Sequence, residues 1–401
     1  MEFNNKKVLI IGGGQAQLDL IKTSKKMGIF TIVVGIDGNY PGYEIADKVY
    51  TVDIADKEKI LEIARTESID GICMACSDFG LQTLGYVCDT LQLKGLTEQS
   101  AVSSANKLIM KRRLRDADIY TSSFVLISKE SNINDEIREL NFPLMVKAVD
   151  LQGSKGIYKC NTTKEVSVAC SKTFELSKED YCIVEEFIDG VEFGAQAFIS
   201  DGEIIFIQPH GDLVWRHNDT SIPIGHYMPY AEADYELQYR ITETVENAIK
   251  AMGYDNCAVN VDLILKNDIP YVIELTGRAG ANFLPEVTGT YLGIDYYKMI
   301  LLNALNMHPK EYFNINRHKE RSFVMSRQLF SLKRGHVTDI AITTNQNIKI
   351  SSIFIKNGDE VHEFNNSSDC IGKVLCIGKD YMECKSIIDK YIQKDLIIKI
   401  Q

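Results

Sequence analysis

Apolar runs and amphipathic stretches alternate over residues 1–95. "KVLIIGGG" is a run of four apolar residues ending in glycines, the pattern of a buried strand and tight turn. "QAQLDLIKTSKKMG" has helical spacing and stops at Gly28. "FTIVVGID" predicts a second strand, "KEKILEIARTES" a second helix and "DGICMACSD" a third strand. Strands alternating with helices predict a parallel sheet joined by right-handed crossovers. The character changes at "SSANKLIMKRRLRDADIYT", which reads as one charged helix with a Ser/Asn start. Short strands and hairpins follow to about residue 277, then helices through "YLGIDYYKMILLNALN". From residue 316 the chain is rich in strands and turns, and it closes with a helix and "DLIIKIQ". The expected fold class is α/β followed by α+β. Three pieces are expected, at 1–100, 101–306 and 307–401.

Composition narrows the functional classes. The chain of 401 residues is 45% hydrophobic and 25% charged, ordinary for a globular protein. Its net charge of −11 argues against nucleic acid as a partner. No signal-like apolar segment precedes the first strand, and no apolar run reaches membrane-spanning length, so a cytoplasmic protein without a membrane partner is expected. Ten cysteines are scattered, and only Cys73 and Cys76 form C-x-x-C. A redox pair or half a zinc site competes with reduced cysteines in a buried strand. The second reading is favoured, because no other pair stands at metal spacing.

Several stretches carry candidate chemistry. In "FPLMVKAVDLQGSKG", Gly153-Ser154-Lys155-Gly156 resembles a P-loop but lacks its G-x-x-x-x-G-K-[ST] spacing and following helix. "IYKC" after it reads as a strand, and Leu144–Ala148 before it as another, carrying Lys147. A strand–turn–strand of this kind can cover phosphates as a flap. "GGGQAQ" invites a dinucleotide reading, but Gln17 stands where G-x-G-x-x-G needs glycine. In "NVDLILKNDIPYVIELTGRAGAN", two alternating runs flank Lys266-Asn267-Asp268, the pattern of a hairpin. With the turn near Asp268, Asp262 faces Glu274 and Asn260 faces Thr276. Opposed like charges destabilise a ladder, and two carboxylates with phosphate oxygens are a usual cradle for Mg²⁺. A slipped register that leaves both acids in solvent is the competing reading. "CIVEEFIDGVEFG" ends a strand in bulky apolar residues, suited to an adenine edge or to a plain surface hairpin. "QPHGDLVWRHNDTSIPIGHYMPY" reads as a long irregular segment with His210, Trp215, Arg216, His217 and His226. These residues either face a substrate, with a histidine orienting it or taking a proton from an amine, or form a surface loop with one buried aromatic.

Taken in order, the strand lysine, glycine flap, hinge and carboxylate hairpin followed by arginine resemble the ATP-grasp superfamily over essentially the whole chain. The resemblance implies an ATP-grasp fold, with a Rossmann-like N-terminal domain and a small β-rich C-terminal domain. It implies ATP and Mg²⁺ (or Mn²⁺) as cofactors. Lys107 and Lys147 are implied on the phosphates, Gly153, Ser154, Lys155 and Gly156 above them. Glu185, Glu186, Phe187 and Ile188 are implied at the adenine, and Glu192 at the ribose. Asp262 and Glu274 are implied on the metal, and Arg278 and Lys147 at the transferring phosphoryl group. The family's E-x-N-x-R is here Glu274-Leu275-Thr276-Gly277-Arg278, so Asn260 is considered as the replacement oxygen donor. The implied activity joins a small carboxylate, an amino acid first among them, to an amine through an acyl phosphate, in a possible homodimer. Two alternatives stand: a purine-pathway ligase such as glycinamide ribonucleotide synthetase, whose G-R-E-H run is absent from "GGGQAQLDL", and a nucleotide-binding regulator without catalysis.

Overall fold

The computed structural model describes residues 3, 5–151, 155–217, 220–230, 234–318, 320–343 and 345–401, the side chains of 217, 220 and 221 excepted. The expected parallel sheet is present. Strands β1 (Lys7–Ile11), β2 (Phe30–Gly35), β3 (Lys48–Thr51) and β4 (Gly71–Cys73) pair in parallel in the order β3-β2-β1-β4. Helices α1 (Leu18–Lys26), α2 (Lys57–Glu67) and α3 (Leu81–Leu91) connect and follow them. Val8, Leu9 and Ile10 have no solvent exposure, as a strand covered on both faces requires. After β1, the Gln17 side chain folds against Gly12 and donates to the Ala75 carbonyl at 2.9 Å. That amide fills the turn that the dinucleotide fingerprint keeps bare.

The single charged helix expected from Ser103 is two helices, α4 (Glu98–Ala105) and α5 (Lys107–Asp116). Asn106 between them is extended, and its side-chain oxygen accepts from the Leu108 and Ile109 amides. An asparagine in this position competes with the helix for backbone amides and starts a new one.

An antiparallel sheet of β5 (Phe124–Ser128), β6 (Leu144–Ala148), β7 (Ile157–Cys160) and β8 (Tyr181–Glu186) follows in the order β5-β8-β6-β7. Helices α6 (Ile133–Glu136) and α7 (Thr163–Leu176) back it, around Ile127, Leu144, Val146, Val166 and Val184. The largest sheet holds β9 (Val191–Ser200), β10 (Glu203–His217), β11 (Thr220–Met228), β12 (Cys257–Lys266) and β13 (Ile269–Thr276). Helix α8 (Tyr235–Met252) packs on it, its apolar stripe Leu237, Ile241, Val245, Ala248 and Ile249 buried.

Residues 208–230 are not an irregular segment. They form the hairpin of β10 and β11, with a register shift between Leu213 and Val214. Glycine in this hairpin marks close approach, not turning. A Cβ at Gly211 would lie 2.0 Å from the Tyr227 ring, and one at Gly225 2.2 Å from the Ser326 carbonyl.

Helices α9 (Leu284–Leu292), α10 (Tyr296–Ala304) and α11 (Pro309–Asn316) share a core with β1 and β9, through Ile10, Phe198 and Met299. The tail contributes β14 (Phe323–Leu329), β15 (Gly335–Ile342), β16 (Ile348–Ile353), β17 (Glu360–Val361), β18 (Gly372–Gly378), α12 (Tyr381–Lys390) and β19 (Leu396–Ile400). Three of its strands extend the largest sheet, in the order β13-β12-β9-β10-β11-β14-β18-β16, and β17-β15-β19 form a separate small sheet.

Candidate active site

The site is built on one face of the largest sheet. Asn267 and Asp268 both have positive φ, 51° and 60°, the geometry of a two-residue hairpin turn. The turn aligns Lys266 with Ile269 and Leu263 with Val272; a one-residue register shift between Asp262 and Leu263 then sets Asp262 opposite Glu274 and Asn260 opposite Thr276, the pairing expected from the sequence. Asp262 is exposed on this face and Glu274 half-buried. The surrounding protein, then Glu274 and Asp212, push its carboxyl up to about 6. A carboxylate held this way favours a cation beside it. The donor set of two carboxylates on one face fits a hard divalent ion.

Lys107 begins α5 and reaches this hairpin. Its Nζ lies 3.0 Å from Glu274 and donates to the Leu151 carbonyl at 2.8 Å, while its backbone N–H donates to Val149. It therefore ties the Glu274 carboxylate to the Leu151 backbone, just before the glycine-rich turn. Of the flap itself, Gly153 and Ser154 lie outside the described residues. Lys155 is exposed, and Gly156, at φ 67°, offers its carbonyl to the Ala148 amide.

One helical turn after Lys107, Lys111 is fully buried. It donates to Thr121 and Ser122 at 2.6 and 2.7 Å and pairs with Glu185 at 2.7 Å. Lys147 on β6 pairs with the same carboxylate. Burial opposes ionisation of Glu185, but the two lysines overcome it and hold the carboxyl down to about 2. One carboxylate cannot fully serve two ammonium groups. Burial, with Lys147 nearby, draws Lys111 below the usual amine range. The trio carries one net positive charge, which suits a phosphate.

At the hinge, the Glu186 and Phe187 amides donate to Ser123 and Pro143, and the Glu186 carboxylate receives Asn141 at 2.8 Å. Ile188 is buried, Lys159 sits 3.6 Å over the Phe187 ring, and Glu192 lies at the exposed start of β9.

Side-chain amides are oriented by a backbone group. Gly280 N–H donates to Gln196 Oε1 at 3.0 Å, so Gln196 must donate through Nε2, to Asn260 Oδ1 at 2.6 Å. Asn260 must then present its amide N–H to Asp262, at 3.0 Å. The Asn260 oxygen is engaged by Gln196 in this state, and its nitrogen faces the metal carboxylate. Thr276 Oγ1 is buried with no hydrogen-bond partner, on the face shared with Glu274. Arg278 forms a two-pronged pair with Asp78, its Nη2 at 2.9 Å from Oδ2.

Among the histidines, His210 and His226 converge on Asp212, at 3.0 and 2.6 Å between Nδ1 and Oδ1. The other named residues of this hairpin lie elsewhere. Trp215 packs edge-on against Phe330, Arg216 is exposed, and the His217 side chain lies outside the described residues.

Sequence reasoning missed Lys111, Asp78, Gln196 and Asp212. Lys111 had a signal, its i,i+4 spacing from Lys107. Asp78 and Gln196 depend on contacts 200 and 64 residues away that no local pattern carries, whereas Asp212 had a local signal in its i,i+2 spacing from His210 besides its contact with His226, 14 residues on. The cysteines are unpaired: Cys73 is buried and Cys76 Sγ points to the Gly280 carbonyl at 3.1 Å.

A family model described as phosphoribosylglycinamide synthetase, ATP-grasp (A) domain, matches residues 105–282. A crystal structure of phosphoribosylglycinamide synthetase from Anaerococcus prevotii is 34% identical, covers 99% of this chain and 100% of its own, and superposes with a TM-score of 0.86. The L-amino acid ligase from Bacillus licheniformis shares the fold at 20% identity and TM-score 0.80, covering 99% of each chain. The carbamoyl phosphate synthase large chain of Clostridium botulinum (strain Kyoto / Type A2) is 25% identical over 300 residues. That match takes in 69% of this chain and 27% of the relative's length.

Proposed function

Because the chain belongs to the ATP-grasp superfamily of ATP-dependent carbon–nitrogen ligases, which use ATP and Mg²⁺, we propose that it joins a small carboxylate to an amine through an acyl phosphate. An amino acid is the first choice of carboxylate. The observation that carries this reading is the alignment of three groups on one cleft: the Asp262/Glu274 pair, Lys107 bridging it to the flap root, and the Lys111–Glu185–Lys147 trio.

Bound Mg-ATP supplies the phosphoryl group and the counter-charge for its transfer. The chain's own residues position it. Lys147 and Lys107 take phosphate oxygens, and Lys107 is released for this when Glu274 turns to the cation. Asp262 and Glu274 hold that cation, with Asn260 fixing the orientation of Asp262 by its N–H. The Thr276 hydroxyl is the spare oxygen on that face. Glu186, Phe187 and Ile188 border the adenine, and Glu192 meets the ribose. Arg278, held flat by Asp78, offers its remaining edge to the carboxylate or the phosphoryl oxygens.

The 34% identity with a structure titled phosphoribosylglycinamide synthetase favours a second reading, a ligase whose amine is a phosphoribosylamine. One experiment separates them. ADP release from Mg-ATP is followed with the standard L-amino acids, with hydroxylamine as trap, and with glycine plus phosphoribosylamine. Hydroxamate from several amino acids supports the first reading. Turnover confined to glycine with phosphoribosylamine supports the second. Nucleotide binding without turnover under either condition refutes both.

A further inference from the structure

Across the sheet face, one polar row runs Glu274, Asp262, Gly194, His210 through paired positions on β13, β12, β9 and β10, and continues from Asp212 on β10 to His226 on β11. Asp212 is two residues from His210 on the same face. Burial opposes its ionisation, yet His210 and His226 hold its carboxyl well below the usual range, so it is an acceptor only. Both Nδ1 atoms contact the same Oδ1, so both must carry the proton. In its neutral form an imidazole so fixed carries its free lone pair on Nε2. His210 is 1% and His226 4% exposed, and both Nε2 atoms are buried with no hydrogen-bond partner among the described residues. Two buried acceptors without donors are costly unless a ligand supplies the donor.

Gly194 gives His210 its direction. A Cβ there would lie 2.5 Å from Cε1 and 2.6 Å from Nε2 of His210. The imidazole therefore lies across the bare backbone of β9, between Asp212 and Asp262. Strands are spaced about 4.8 Å apart, so the ring spans much of the roughly 10 Å between β10 and β12. The charged groups on this face include Asp262, Glu274 with Lys107 upon it, Glu192 two residues from Gly194 on β9, Lys373 on β18 opposite Gln328, and Arg278, which is engaged by Asp78.

We infer that His210, held in its Nδ1–H tautomer by Asp212, is the base that takes a proton from the incoming amine; this rests on the ligase reading above. The amine arrives as R–NH₃⁺ and passes one proton to His210 Nε2. Its lone pair then forms the C–N bond to the acyl carbon as the C–O bond to phosphate breaks. The second proton leaves with the released phosphate, and the imidazolium returns its own to water. Asp212 is a positioning residue, as a carboxylate is in any dyad that fixes an imidazole tautomer.

Two small nucleophiles of similar shape test this: hydroxylamine, which is largely unprotonated near neutral pH, and methylamine, which is not. Wild-type protein receives Mg-ATP, each standard L-amino acid and one of the two nucleophiles. Absence of any hydroxamate with wild type overturns the amino acid ligase reading on which the inference rests, and with it the inference. Given hydroxamate, His210→Gln is expected to lose methylamide formation by roughly 10²- to 10⁴-fold, and at least tenfold more than it loses hydroxamate. Asp212→Asn is expected to show the same selectivity, with its deficit shrinking as the buffer is raised from about pH 7 to about pH 9 and the amine sheds its own proton. Equal losses with both nucleophiles, or no loss, overturn the base assignment. So does stoichiometric zinc in the purified protein that His210→Gln, Asp212→Asn and His226→Gln each abolish, which makes the trio a metal site.

Discussion

Replacing Glu185 by glutamine tests the charge accounting at the centre of the site. The carboxylate is 2% exposed and is shared by Lys111 and Lys147. Its carboxyl falls from 4.5 to about 2 on folding. At about 1.4 kcal/mol for each tenfold change in proton affinity, that lowering is on the order of 3 kcal/mol. The folded value lies below the unfolded one, so this stability is complete above about pH 4.5 and is lost as pH falls toward 2. At neutral pH, Glu185→Gln leaves two buried ammonium groups facing each other with no anion. The cost expected is about 3–5 kcal/mol, the range for breaking a buried pair. Adding Lys111→Met removes one of those charges, so the double variant should be more stable than Glu185→Gln alone, although Thr121 and Ser122 lose a donor. Hydrogen exchange of peptides covering β6 and β8 reads this locally. Glu185→Gln should raise exchange by about two orders of magnitude or more, and the double variant should recover part of it. Unchanged exchange in the single variant, or faster exchange in the double, would refute the shared-charge account.

Three further outcomes follow from the same geometry. Asp262 has its folded pKa above the ordinary carboxylate value, so its effect has the opposite sign: stability present below about pH 3.8 is lost as pH rises through about 6, and a bound cation restores it. Mg²⁺ titrations without nucleotide should therefore show affinity weakening as pH drops through about 6, a dependence that Asp262→Asn abolishes. Lys107→Met removes both the tether to Glu274 and a phosphate contact, and should weaken ATP binding by roughly 10- to 100-fold in calorimetry. Thr276→Asn supplies the carbonyl oxygen at a position whose hydroxyl is unpartnered, and should lower the Mg²⁺ concentration for half-maximal ADP release severalfold; an increase would remove Thr276 from the metal site.

Much of the framework is readable from local patterns. The pairing of the two acids depends on a one-residue bulge beside Asp262 that no turn residue announces, since the turn alone would set Asp262 against Ile273. The β12–β13 hairpin itself was legible because its turn and its alternating runs are local. The alternating N-terminal elements gave their sheet for a similar reason. What escaped was set by distance in the chain. The β10–β11 hairpin looked irregular because Pro209, Gly211, Pro223 and Gly225 interrupt its alternation, and those glycines answer to Tyr227 and Ser326 across the sheet. Asn106 split a helix that its neighbours' charges made look continuous. Asp212 was invisible as a partner of His226 until the hairpin's register joined them.

The hydrogen-bond chain from Gly280 through Gln196 and Asn260 to Asp262 has a thermodynamic consequence. The Gly277–Phe283 loop and the cation share one wire, and no member of it can rotate without turning the next. A carboxylate that repositions the Gly280 amide changes the donor presented to Asp262. Occupancy of the loop and occupancy of the metal are thereby linked, and linkage is reciprocal. Under the proposed function, whatever factor the cation adds to the affinity of a carboxylate at this loop, that carboxylate must return to the cation. Gln196→Leu cuts the wire between its ends, so the two binding events should become independent while each site keeps its own ligands.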